Sequence, residues 1–141
     1  MARIVFERQQ QDDDTARVFA DLVEELRGAP ECAPPLDVIE HPDRVEIVVD
    51  LPGVAANALR VVYSRGSVVV IGRKLPRVCS DSVAFHLAER SFGRFARAVA
   101  LSGAIDAGRA SASLAGGVLR VVLPRIDERR GRDIDIAVAA G

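Results

Sequence analysis

Residues 114–126 read LAGGVLRVVLPRI, and they decide the fold class. Gly116 and Gly117 supply the positive φ that a tight hairpin turn needs. After them Leu119, Val121 and Leu123 recur at a period of two and share one face, and Pro124 ends the pairing because it has no N–H to give to a ladder. A half-buried strand entered through such a turn implies a strand before it, and RASASL at 109–114 occupies that place.

The same period runs upstream. In RVEIVVDL (44–51), Val45, Ile47, Val49 and Leu51 fall on one face, while Arg44, Glu46 and Asp50 take the other. ALRVVYS (58–64), SVVVIG (67–72) and RFARAVAL (94–101) add further short β-branched runs. Turn formers separate them: Pro42 with Asp43, Pro52 with Gly53, Arg65 with Gly66, then Gly103 and Gly108. Short strands at this spacing predict an all-β, immunoglobulin-like antiparallel β-sandwich. One segment breaks the rhythm. Between Ile71 and Phe95 lie 23 residues without a clear core pattern, too long for a structureless loop in a compact domain. Inside it SVAFHLAER (82–90) alternates like a strand, one placed to pair with another chain.

Before the strands the period is helical. In TARVFADLVEELRG (15–28), Phe19, Leu22, Val23 and Leu26 stand at i, i+3, i+4 and i+7, so an amphipathic helix is expected over about 14–27, led by the acids Asp12, Asp13 and Asp14 and stopped near Arg27 and Gly28. The proline-rich GAPECAPP (28–35) then serves as a linker. The chain ends in GRDIDIAVAAG (131–141), where Ile134, Ile136 and Val138 alternate and need an apolar surface to cover them. Three zones follow: an arm over 1–34, a sandwich domain over 35–126 and an extension over 127–141.

Composition narrows the function. With 141 residues, 49% of them apolar, the chain supports one core. No apolar run reaches the roughly 18 residues of a membrane span, and the acidic turn after Phe6 is unlike a secretory signal, so a soluble, cytoplasmic protein without membrane contact is expected. Cys32 and Cys79 are far apart and outside any C-x-x-C pattern, giving neither a disulfide scaffold nor a metal site. Residues 1–31 hold eight acids against four arginines, leaving the rest only weakly basic; with six aromatics in all, no nucleic-acid footprint is indicated. His41 and His86 are too far apart in sequence to suggest a metal or catalytic pair, the serines lie outside a G-x-S-x-G elbow, and no phosphate-binding G-x-x-x-x-G-K-[ST] occurs. No catalytic residue, metal or cofactor is expected. Arg97 shares parity with Phe95, Val99 and Leu101, and a charge on that apolar face would need a carboxylate partner.

PPLDVIEHPDRVEIVVDLPGV (34–54), SVVVIGRK (67–74), ERSFGRFARAVAL (89–101) and LAGGVLRVVLPRI resemble, in order and spacing, the α-crystallin domain of the small heat shock proteins, the Hsp20 family. The most specific element is Ala112 followed, after four residues, by Gly117-Val118-Leu119, then a strand and Leu123-Pro124. The resemblance implies an ATP-independent holdase that binds partly unfolded proteins. Its dimer would form by exchange of a strand near 83–87 with the partner's strand near 36–39, which puts Leu36, Val38, Phe85, Leu87 and Arg97 at the interface. It also implies that Ile134 and Ile136, the family's Ile-x-Ile tail, dock into a groove on a neighbouring dimer near Val68, Val70, Leu119 and Val121, building larger homo-oligomers. Val138 offers a second anchoring register. Burying two isoleucines is worth roughly 1.5–3 kcal/mol each, while ordering tail residues costs about 1–2 kcal/mol apiece, so a single tail binds weakly and exchanges. Clients would meet apolar residues of the arm, Phe6, Phe19, Leu22, Val23 and Leu26. Two alternatives stay open on this reading: a co-chaperone module of the p23/CS type, and a β-sandwich protein-binding domain without holdase activity.

Overall fold

A computed structural model describes residues 9–76, 80–126 and 137–138. Among the described residues, seven strands form two antiparallel sheets. The first, in the order β1-β2-β7-β6, contains β1 (Leu36–Glu40), β2 (Arg44–Asp50), β6 (Ser111–Ala115) and β7 (Val118–Pro124). The second, β3-β4-β5, contains β3 (Leu59–Ser64), β4 (Ser67–Lys74) and β5 (Gly93–Ala100). The expected all-β sandwich is therefore present, and β2 to β7 fall where period-two runs lie. The β6–β7 turn is made by Gly116 and Gly117 at φ 59° and 76°, the left-handed region where a Cβ is disfavoured.

Parity along the strands fills the interior. Val45, Ile47 and Val49 of β2, Leu119, Val121 and Leu123 of β7, Val68 and Val70 of β4 and Phe95 of β5 are all at most 2% exposed and pack in one cluster. Each such side chain contributes roughly 1.5–3 kcal/mol by leaving water. Gly72 leaves room for Phe95: a Cβ there would sit 2.7 Å from the ring and 2.5 Å from the Ala58 carbonyl oxygen.

β4 differs from its neighbours because both its faces are covered, and Val68, Val69, Val70 and Ile71 are all buried. The layer on its outer face is the arm. Helix α1 spans Gln9–Val23 and continues as a 3-10 turn, Glu24–Leu26. It starts earlier than the expected residue 14: glutamine is a good helix former, so the helix continues back through the Gln run, and the aspartates fall inside its first turns instead of preceding it. It ends with Arg27 left-handed at φ 55° and its N–H bonded to the Glu24 carbonyl at 3.1 Å. Val18, Leu22 and Leu26 are buried against Val69, Ile71 and Ala96, with Phe19, Val23, Val62 and Ala98 packed around them.

Candidate interaction surfaces

Three apolar surfaces and one ionic cluster stand out, and each follows from strand order. The first is an open edge. β1 pairs only with β2, in the register Val38 with Ile47 and Ile39 with Glu46, so its other side is unpaired among the described residues. Leu36 packs against the core, whereas Val38 and Ile39 are 42% and 41% exposed. Residues 80–92 do not form the strand expected at 83–87 within a single chain; they begin with a turn, Val83 N–H to Ser80 carbonyl at 3.2 Å, and continue without regular secondary structure, bending at His86. A strand needs a hydrogen-bonding neighbour, and none is provided there by the described part of this chain. Val83, Phe85 and Leu87 are left 51%, 67% and 72% exposed. Phe85, Leu87, Pro76 and Phe92 line a hollow of about 220 Å³. Its Phe92 wall is braced by the Arg90 guanidinium, 4.9 Å from the ring centre, and the Lys74 ammonium, 5.7 Å from it.

Arg97 lies beside this edge. It is half-buried and opposite Val70, and its Nη1 donates to the Pro34 carbonyl at 2.7 Å. The expected carboxylate partner is replaced by a backbone oxygen, which needs no second charge to be desolvated.

The second surface lies on the opposite edge. Cys32 bridges to Phe95 and Arg97 reaches Pro34, so β5 lies over the β1 side of the sandwich and β3 must lie over the β6 side. The expected groove residues Val68, Val70, Leu119 and Val121 prove to be interior, each at most 2% exposed, because their strands are second in from the edge. None of the four presents a docking surface. The half-buried apolar residues of the edge strands are Leu59, Val61 and Tyr63 of β3 and Leu114 of β6. The sequence carried their alternation but not the strand order that makes them an edge. Ile134 and Ile136, like Phe6 and Cys79, lie outside the described residues; Val138 is 94% exposed.

The arm forms the third surface. Leu22 and Leu26 are buried, and Phe19 and Val23 half-buried, on the chain's own sheet. The helical stripe was legible, but its resting place on β4 was not.

The ionic cluster was missed. Glu46, on the outer face of β2, is 7% exposed and accepts from Arg120 Nη2 at 2.6 Å and Arg44 Nε at 3.2 Å, with His41 Nε2 at 3.5 Å. The Arg120 hydrogen bond, then that from Arg44, holds its carboxyl below the usual range against the opposing effect of desolvation. Arg44 and Glu46 share a face in the sequence pattern, but Arg120 joins them only through the β2–β7 register. Cys32 is half-buried, its thiol pushed up by desolvation. His86 is exposed, and among the described residues no group of His, Cys, Asp and Glu is arranged to hold a metal. No helix among them is long and apolar enough to cross a membrane.

The family model of the Hsp20/alpha crystallin family matches residues 37–138. The chain belongs to that family. Heat shock protein 16 of Schizosaccharomyces pombe is 33% identical over 100 residues, covering 70% of each chain. The solved structure of heat shock protein 16.0 from the same yeast superposes with a TM-score of 0.66 at 32% identity, covering 77% of this chain and 100% of that one. A small heat-shock protein from Xylella fastidiosa, described as having a distinct high order structure, gives 0.65 at 28% identity over 77% of this chain and 99% of that one. The sandwich is thus an α-crystallin domain. Small heat shock proteins are non-enzymatic chaperones, and that role comes with membership.

Proposed function

We propose that this small heat shock protein is an ATP-independent cytoplasmic holdase, working as strand-exchanged dimers that assemble into larger homo-oligomers and bind partly unfolded proteins. The observation that carries the reading is the combination of two incomplete features: the open outer edge of β1, with Val38 and Ile39 exposed, and a segment outside any strand whose Val83, Phe85 and Leu87 are at least half exposed. Seating residues 83–87 of one chain along residues 36–39 of another satisfies the free backbone groups of both and covers the apolar side chains. Arg97, bonded to the Pro34 carbonyl at the mouth of β1, holds that edge in place.

Ile134 and Ile136 act as the tail that links dimers. The half-buried residues Val61, Tyr63 and Leu114 make the β3–β6 edge the better socket for it. Many weak tails hold an assembly by effective concentration while letting single dimers leave. Phe6, Phe19, Leu22, Val23 and Leu26 of the arm contribute to client binding once exposed. The domain boundaries 1–34, 35–126 and 127–141 are proposed on the same basis.

The decisive experiment heats a labile reporter enzyme with the protein in the absence of nucleotide and follows light scattering. Suppression of aggregation near stoichiometric ratios is expected; its absence refutes the holdase reading. In parallel, Ile134→Ala with Ile136→Ala is expected to reduce large assemblies to dimers with the sandwich still folded, and unchanged sedimentation refutes the tail assignment.

A further inference from the structure

The outer face of the β3-β4-β5 sheet is apolar at its centre and basic along one side. Two outward-facing rows cross it, Val62 with Val69 and Ala98, then Arg60 with Ile71 and Ala96, followed by Arg73 with Arg94. The alanines of β5 leave space for a helix, and α1 fills it, running in the direction of β4 with Thr15 Oγ1 2.6 Å from Ser67 Oγ and Leu26 near Arg73. Polar ties from the basic side meet its C-terminal end. Arg60 Nη1 pairs with the Glu25 carboxylate at 2.5 and 2.6 Å between exposed side chains, and Arg73 Nη2 donates to the Leu26 carbonyl at 2.7 Å. An exposed ion pair contributes little, so the Arg60–Glu25 pair adds little to the apolar contacts of Val18, Leu22 and Leu26 that seat the helix.

The chain after the helix is held differently. Arg94 Nε donates to the Ala29 carbonyl at 2.9 Å and its Nη2 lies 3.2 Å from Glu31, while the Arg94 carbonyl accepts from the backbone N–H of Glu31 at 2.7 Å and of Cys32 at 3.1 Å. Between the two stands Arg27 at φ 55° and then Gly28 at φ 153°, where a Cβ would lie 2.7 Å from the Arg94 guanidinium carbon. Arg27 and Gly28 are thus the junction between the helix and the linker fixed on β5, the point about which α1 would turn on release.

We infer that α1 is a releasable cover, and that the face beneath it binds client segments that fold into an amphipathic helix flanked by acidic residues. This rests on the holdase reading and names its client chemistry. α1 is the template: it presents an apolar i, i+3, i+4, i+7 stripe, and Glu25 meets Arg60. A neighbouring chain's α1 is a poorer occupant, because the linker clamped at Arg94 gives a swapped helix almost no reach.

The test uses the full chain with both native cysteines replaced by serine. A Thr15→Cys, Ser67→Cys pair, built where two side-chain oxygens already lie 2.6 Å apart, locks the cover when oxidised. Leu22→Asp with Leu26→Asp releases it. The probes are fluorescent peptides: an unrelated amphipathic helix with glutamate flanks, the same helix with lysine flanks, and a copy of residues 9–26. The glutamate peptide is expected to bind the released variant at least tenfold more tightly than the parent, to ignore the oxidised lock, and to regain parental binding on reduction. The lysine peptide is expected to bind at least threefold more weakly than the glutamate peptide. Equal binding by locked and released forms overturns the inference, and so does binding of the 9–26 copy alone, which identifies a second chain as the occupant. Circular dichroism of the released variant, expected to retain the sheet signal, and the reversibility of the lock separate these outcomes from misfolding. If the parent suppresses aggregation and the oxidised lock does so equally well, clients bind elsewhere and the inference fails while the holdase reading stands. If the parent suppresses nothing, the holdase reading fails and the peptides alone judge the face.

Discussion

Residues 67–72 and 82–87, SVVVIG and SVAFHL, both open on Ser-Val and hold four apolar residues each, yet they are opposite in fate. In the first, Val68, Val69, Val70 and Ile71 are at most 3% exposed, with β3 and β5 on either edge and a layer on either face. In the second, Val83, Phe85 and Leu87 are at least half exposed and no strand forms. Apolar alternation specifies extended chain; a strand exists only where a neighbour completes its hydrogen bonds. The first run follows a two-residue turn at Arg65 and Gly66 that delivers β3 alongside it, whereas the second has no such local supplier.

The largest effect should come from the pair of phenylalanines that serve these two environments. Phe95, fully buried opposite Gly72, should cost about 3–5 kcal/mol of unfolding free energy as Phe95→Ala, read from urea denaturation. Phe85→Ala, from a side chain 67% exposed, should change the unfolding of dilute protein by no more than about 0.5 kcal/mol. Similar losses at both sites would erase the distinction between the two runs. Gly72→Ala comes next. Its Cβ would meet the Ala58 carbonyl oxygen at 2.5 Å, backbone that cannot swing aside, so a loss of roughly 1–3 kcal/mol is expected in the same assay.

The exposed run should answer in association instead of stability. Phe85→Asp with Leu87→Asp should weaken dimers at least tenfold in sedimentation velocity and leave the thermal midpoint of dilute protein nearly unchanged. Deleting residues 80–88 should give monomers. Persistent dimers would mean that this segment is not the exchanged strand.

The sandwich was legible because its signal is local: period-two runs, each closed by glycine or proline, suffice to place β2 to β7 without knowing their neighbours, while β1 came only from the family resemblance. What eluded the sequence was relational. The family resemblance assigns Val68 and Val121 to a groove, yet strand order puts them one strand in from the edge, and Tyr63 and Leu114 take the rim. The arm's stripe was equally visible, but nothing local says that Leu22 packs on Ile71 of the same chain instead of on a client. Glu46 is the extreme case. It reads as one charge of a solvated face until cross-strand register brings Arg120 to it.

That carboxylate carries the smallest predicted effect and contrasts the outer faces of the two sheets, the first closed by charge and the second by a helix. The folded-state pKa of Glu46 is lowered, by the Arg120 hydrogen bond first and the Arg44 bond second. A lowered acid contributes stability above its unfolded pKa, roughly pH 4.3, and loses that contribution as pH falls through the still lower folded value. Glu46→Gln keeps the shape and removes the titration. Its thermal midpoint should therefore lie below wild type at pH 7, where Arg120 and Arg44 lose their anion, and the two midpoints should converge as the pH is taken from about 5 into the acid range. Curves that stay parallel from pH 7 to pH 3 would mean that the arginines gain nothing from the charge, leaving Glu46 as a packed side chain on the first sheet much as Leu22 is on the second.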